Sequence, residues 1–114
     1  MSGARSRRKG HNLEREVARQ FREIGYDRAK TSREADPLAD PRGGDVAGVY
    51  PFFPQCKAVE SLGSHHRILS DMEPMSDEIP ILFHKRNRQG TTVTLWAEDF
   101  LELVEMLKTE GVLK

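Results

Sequence analysis

The sequence predicts an α/β or α+β domain in which a mixed β-sheet is flanked by helices. Three observations predict it. Apolar residues recur at helical spacing over residues 12–26 and again from residue 97. Between them lie short β-branched and aromatic runs bounded by Gly, Pro, Asn and Asp, which read as strands. The order is one helix, three strands, a short helix, two strands and a last helix.

The first helix is "NLEREVARQFREIGY". Leu13, Val17, Phe21 and Ile24 form its apolar stripe, and Gly25 is placed to end it. Arg15, Arg19 and Arg22 share the wet face. Glu14 lies in line with Ala18 and Phe21 at the stripe's edge, as either a boundary residue or a group aimed into a site. Residues 27–44 read as a long loop with a short strand near residues 28–32. Residues 45–50 and 53–59 read as two strands joined by a turn at 50–52, with Pro51 and Pro54 at strand ends or on an edge. Ile68, Leu69 and Met72 suggest a short helix stopped by Pro74, and His65 and His66 cap or flank it. Residues 79–85 and 92–97 flank "RNRQG" as a β-hairpin. The last helix carries Phe100, Leu103, Val104 and Leu107 on one face, and Glu98 and Asp99 in its first turn suit the helix dipole. Trp96 and Phe100 are expected in the core.

A chain of 114 residues bounds a single domain, residues 1–114, with one modest core. Residues 1–9 are expected as a flexible basic arm. With 37% hydrophobic and 32% charged residues the composition fits a soluble globular protein. No apolar run approaches the ~20 residues that cross a bilayer, and no apolar h-region follows the basic N-terminus. The single cysteine forms no internal disulfide, so a cytoplasmic location is expected. Formal charge is zero but unevenly spread: residues 1–33 carry ten Lys and Arg against four acids. Such a basic stretch suggests phosphate contacts on one side, or a solvated tail. Lys85, Arg86 and Arg88 at the hairpin tip could likewise grip phosphate or form a soluble turn. Cys56, His65 and His66 match no zinc spacing.

The segment "GGDVAGVYPFFPQCKAVE" interrupts two strand-forming runs with Asp45, Gln55 and Lys57. Side chains two apart on a strand share a face, so Gln55 and Lys57 project together and Cys56 points away. Asp45, on the neighbouring strand, can meet them across the ladder. Such groups are costly to bury idle. The cost falls if Mg²⁺, which takes a few hard oxygen ligands and keeps its waters, sits between the oxygens. Lys57 would then orient or deprotonate a water and offset transition-state charge, with Glu14 as a further oxygen. The plain alternative is an edge strand whose Gln and Lys meet solvent while Asp45 caps a turn.

"RKGHNLEREVARQF", then "GGDVAG", then "QCKAV" resembles the archaeal-type Holliday junction resolvases, members of the restriction-endonuclease-like superfamily whose motif is an acid followed by (D/E)-x-K. The resemblance covers roughly residues 7–60 by motif. It implies a restriction-endonuclease-like fold and a Mg²⁺-dependent endonuclease, with Mn²⁺ as a substitute metal. It further implies a symmetric homodimer acting on four-way DNA junctions in a prokaryotic, archaeal or phage-infected cell. The implied catalytic set is Glu14, Asp45, Gln55 and Lys57. The implied metal ligands are Asp45, Gln55 and the Cys56 backbone carbonyl, with Glu14 through water. The implied DNA contacts are Arg7, Arg8, Lys9, Arg15 and Arg33. Two positions depart from the family. Gly44 stands where a proline is usual, and Gln55 stands where a glutamate is usual. An amide oxygen can hold a metal but brings no charge. Related modification-dependent restriction nucleases use Gln-x-Lys at this place. Two other readings stay open: a nuclease of the same fold acting on duplex or flapped DNA, and a DNA-binding protein that lost its chemistry through Gln55.

Overall fold

Leu13, Val17, Ala18 and Phe21 are all buried, and they fix one face of helix α1, Ser2–Glu23, against the sheet. The structure, a computed structural model, describes residues 2–35 and 42–114. The C-terminus of α1 is a Schellman turn. Gly25, at φ 115°, donates its N–H to the Arg22 carbonyl (3.1 Å), and the Tyr26 N–H reaches the Phe21 carbonyl (3.0 Å). The Tyr26 ring then packs edge-on against Phe21 at 5.4 Å. Ile24 occupies the cap residue of this turn. Its helical spacing is carried past the last buried turn, and it is 73% exposed rather than part of the stripe. Residues 2–9, expected as a flexible basic arm, are helical and continuous with α1 as its first two turns.

Four short pieces follow. Strand β1, Lys30–Thr31, pairs antiparallel with β2, Val46–Ala47, as a separate two-stranded sheet. Between them the chain forms a single helical turn, α2, Ser32–Ala35, which the sequence did not suggest. The stretch 36–41 of the expected loop lies outside the described residues. Strand β3, Phe52–Ala58, begins after the turn at residues 50–51.

The main sheet is mixed, in the order β3-β4-β5. β3 runs parallel to β4, Ile79–Lys85, and the crossover between them carries α3, His65–Asp71. Ser64 caps that helix by accepting the Arg67 N–H at 3.1 Å. β4 pairs antiparallel with β5, Thr91–Thr94, through the expected hairpin. The sheet has one core on each face. Phe52, Cys56, Ala58, Ile79, Ile81 and Phe83 meet α1. Phe53 and Leu82 meet Leu69 and Met72 at α3, with Trp96 against them.

Helix α4, Ala97–Thr109, departs from expectation. It has the amphipathic pattern, yet none of its residues is buried. Phe100, expected in the core, is 52% exposed. Trp96 reaches back to the α3 core, and the helix leaves the sheet immediately after it. No helix among the described residues is long and apolar enough to cross a membrane.

Candidate functional site

Asp45 is held against the open edge of β3. Its N–H donates to the Pro54 carbonyl (2.7 Å), and its Oδ2 accepts the Cys56 N–H (2.8 Å). These two bonds bracket Gln55, although β2 itself pairs with β1 and shares no ladder with β3. Because a strand residue's N–H and C=O leave on the same side, the Cys56 carbonyl also points to this edge, with the Asp45 carboxylate. Pro54, which has no N–H to lose, sits where it costs nothing, since only its carbonyl is used there. On the other flank the Ser32 N–H donates to the Asp45 carbonyl (2.9 Å). Residue 45 is thus clamped from both sides by main chain.

Gly44 has a local cause. A Cβ built there would stand 2.6 Å from Cε1 of the Phe53 ring, which fills the space. Proline carries that Cβ, so a family-type proline at 44 requires Phe53 to move. Nothing in the sequence pattern reports this ring, because Gly44 and Phe53 are neighbours only in the fold.

The side chains divide between faces. Cys56 packs in the α1 core, while Gln55 and Lys57 share the α3 face with Phe53 and Leu82. Neither Gln55 nor Lys57 has a hydrogen-bond or ion-pair partner among the described residues. Lys57 stands beside His84 of β4, whose Nε2 is bonded to the Val59 carbonyl at 2.7 Å. Glu14 belongs to the α1 side. It is 9% exposed and forms an ion pair with Arg33. The expected single cluster of Glu14, Gln55 and Lys57 is therefore split by the sheet, with Asp45 at the seam. Arg33, expected on phosphate, is ion-paired with the Glu14 carboxylate in this DNA-free structure. Both acids are felt at Cys56: burial pushes its thiol well up, and the charges of Asp45 and Glu14 add to the shift.

Comparisons with family models, with curated proteins and with solved structures give no match. The residues themselves must carry any assignment.

For a hard cation the fit is partial. Among the described residues no three His, Cys, Asp or Glu side chains are grouped to hold a metal. The oxygen set left at the seam is the Asp45 carboxylate, the Cys56 carbonyl and the Gln55 amide. That chemistry suits Mg²⁺, which completes its shell with water. Ser32 is wholly buried beside this edge, and its Oγ has no hydrogen-bond partner among the described residues. A bound water or ion would satisfy such a hydroxyl.

The cationic residues lie on α1. Arg7 and Arg8 are exposed on its first turns. Arg15 is tied to Asn12. Lys9 reaches across to the hairpin tip, where its Nζ donates to Asn87 Oδ1 at 3.1 Å. That link across 78 residues left no signal in the sequence.

Proposed function

We propose that the protein is a Mg²⁺-dependent endonuclease of restriction-endonuclease-like fold, which resolves four-way DNA junctions by paired phosphodiester cleavage. The observation that carries this reading is the Asp45 carboxylate, clamped on the open edge of β3 beside the Cys56 carbonyl and across from the Gln-x-Lys pair. Asp45, Gln55 and the Cys56 carbonyl would hold Mg²⁺, with Glu14 reaching it through water once Arg33 turns to phosphate. Bound Mg²⁺ would supply Lewis-acid polarisation of the phosphodiester and a lowered pKa for a ligated water. Lys57, two residues along the same face from Gln55, would orient an attacking water or accept its proton and would offset developing negative charge on the phosphodiester. Arg7, Arg8, Lys9 and Arg15 hold the DNA backbone.

Paired cleavage requires two sites, and the described residues offer one motif set. A twofold homodimer supplies the second at fixed separation, and the exposed apolar stripe of α4 is the surface available to join two copies. A binding-only reading has its own support, because Glu14 is neutralised by Arg33 and Gln55 has no charge. The test is cleavage of a synthetic four-way junction and a matched linear duplex, each with Mg²⁺ or with chelator. Junction-selective, chelator-sensitive cutting supports the proposal. Equal cutting of both substrates favours another nuclease of this fold, and binding without cutting at any Mg²⁺ or Mn²⁺ level favours the binding-only reading.

A further inference from the structure

A second polar site lies away from Asp45, where the carboxyl ends of the parallel strands β3 and β4 meet α1. Open α/β sheets characteristically take ligands in this position. A cleft of ≈ 340 Å³ lies there between α1 and the β4–β5 hairpin. Lys9, Asn12, Leu13 and Glu16 line it from α1. Their spacing of three, four and seven residues puts them on one helix stripe. Ala58 ends β3 and leaves the space that a larger side chain would fill. Lys85 lies on the same face as Ile81 and Phe83, and with Arg86 and Asn87 it closes the far wall.

The charges do not cancel inside this cleft. Three cations, Lys9, Lys85 and Arg86, face one carboxylate, Glu16. Arg19 takes both oxygens of Glu16 from outside the cleft. The Arg19 hydrogen bond holds the Glu16 carboxyl below its ordinary range, so it stays an anion already spent on Arg19. Glu60 is likewise occupied, accepting the Asn87 N–H at the rim. The Asn87 side chain in turn braces Lys9. Lys85 also acts on the Glu16 charge, so the cleft sets three cations against a single carboxylate that Arg19 already binds, and a net positive charge is left.

We propose that the cleft between α1 and the β4–β5 hairpin binds a phosphate group through Lys9, Lys85 and Arg86, with Asn12 and Asn87 as neutral donors. The shared chemistry is a tetrahedral dianion or a phosphodiester, from either a small phosphate or a nucleic-acid backbone. Lys and Arg are the side chains that meet such oxygens with charge-assisted hydrogen bonds. The site does not depend on metal or on cleavage, and of its residues only Lys9 is shared with the DNA contacts of the nuclease reading.

The test is run in chelator throughout. Amide NMR shifts of the full chain are followed while inorganic phosphate is added, for wild type, Lys85→Ala, Arg86→Ala and the control Arg67→Ala on the exposed face of α3. Saturable shifts confined to residues 9–16 and 85–91 are expected. They should weaken about tenfold or more in Lys85→Ala and Arg86→Ala and not in Arg67→Ala. A second arm measures binding of a DNA duplex against salt. If the backbone supplies the phosphate, each cleft variant lowers the slope of log K against log salt by about 0.9. If small phosphates are the ligand, that slope is unchanged while phosphate binding still falls. Shifts absent in wild type, or equal in wild type and Arg86→Ala, overturn the proposal.

Discussion

Replacing Asp45 by asparagine separates the two jobs assigned to this residue. Its Oδ2 holds the Cys56 N–H at 2.8 Å, and asparagine keeps an oxygen able to accept the same bond. Only the charge is lost. A hydrogen bond to a charged group is worth about 1.5–3 kcal/mol and a neutral one about 0.5–1.5 kcal/mol, so the fold should weaken by roughly 1 kcal/mol or less at this half-exposed position. Asp45→Ala removes the acceptor altogether and should cost more, about 1–3 kcal/mol. Cleavage responds differently. Metal stabilisation of charge is worth several kcal/mol and each 1.36 kcal/mol is tenfold, so Asp45→Asn should lose at least ~100-fold in rate. Three measurements decide it: urea unfolding by circular dichroism, junction binding in chelator, and junction cleavage in Mg²⁺. Wild-type cleavage by Asp45→Asn refutes the metal role. Loss of binding with the fold intact refutes it too, since Asp45 would then be part of the DNA surface.

Gln55→Glu should shift the cleavage curve to lower Mg²⁺, because a hard dication gains more from a carboxylate than from an amide. Superimposable curves would show that residue 55 does not touch the metal. Gly44→Ala should lower the urea midpoint by an amount equivalent to about 1–3 kcal/mol, the usual cost of overpacking, because its Cβ meets the Phe53 ring. Adding Phe53→Leu should recover part of that loss, and an unchanged midpoint in Gly44→Ala would mean the ring moves freely. Cys56 predicts a pH dependence. Its folded thiol keeps its proton above the ordinary value of 9.0, so the folded state binds more protons than the unfolded one there. Its stabilisation is therefore complete below about pH 9 and falls as pH rises further, by up to about 1.4 kcal/mol per pH unit. Unfolding curves from pH 8 to 10.5 should show a shallower fall in Cys56→Ala than in wild type, and parallel falls would contradict it.

What could be read from the sequence was whatever rests on local periodicity. α1, β3, β4 and the hairpin follow from apolar spacing and turn residues, and so does the shared face of Gln55 and Lys57. The ladder expected between the runs at 45–50 and 53–59 did not follow, because β2 pairs with β1 and Asp45 meets β3 only through the Pro54 carbonyl and the Cys56 N–H. Pattern failed where tertiary contacts decide. Ile24 keeps perfect helical spacing, but the Schellman turn at Gly25 puts it in solvent. Phe100 has core character, yet only packing partners can bury it, and the chain sends α4 away from the sheet. The Glu14–Arg33 pair joins residues 19 apart, and no periodicity reports which cation a buried acid will take. The same holds for the cleft, since Lys9 and Asn87 are neighbours only in space.

α4 has a thermodynamic consequence. Isolated helices shorter than about 12–15 residues are marginal in water, and α4 has 13 residues and buries none of them. Its melting is therefore largely a local event, coupled to the cooperative unit of α1, α3 and the sheet chiefly through the half-buried Leu103 and Val104. A library of α4 variants sorted by the unfolding midpoint would rank them as nearly neutral, polar replacements of Phe100 and Leu107 included. Tolerance measured that way would report how little α4 contributes to the fold, and would be silent on what its apolar stripe is kept for.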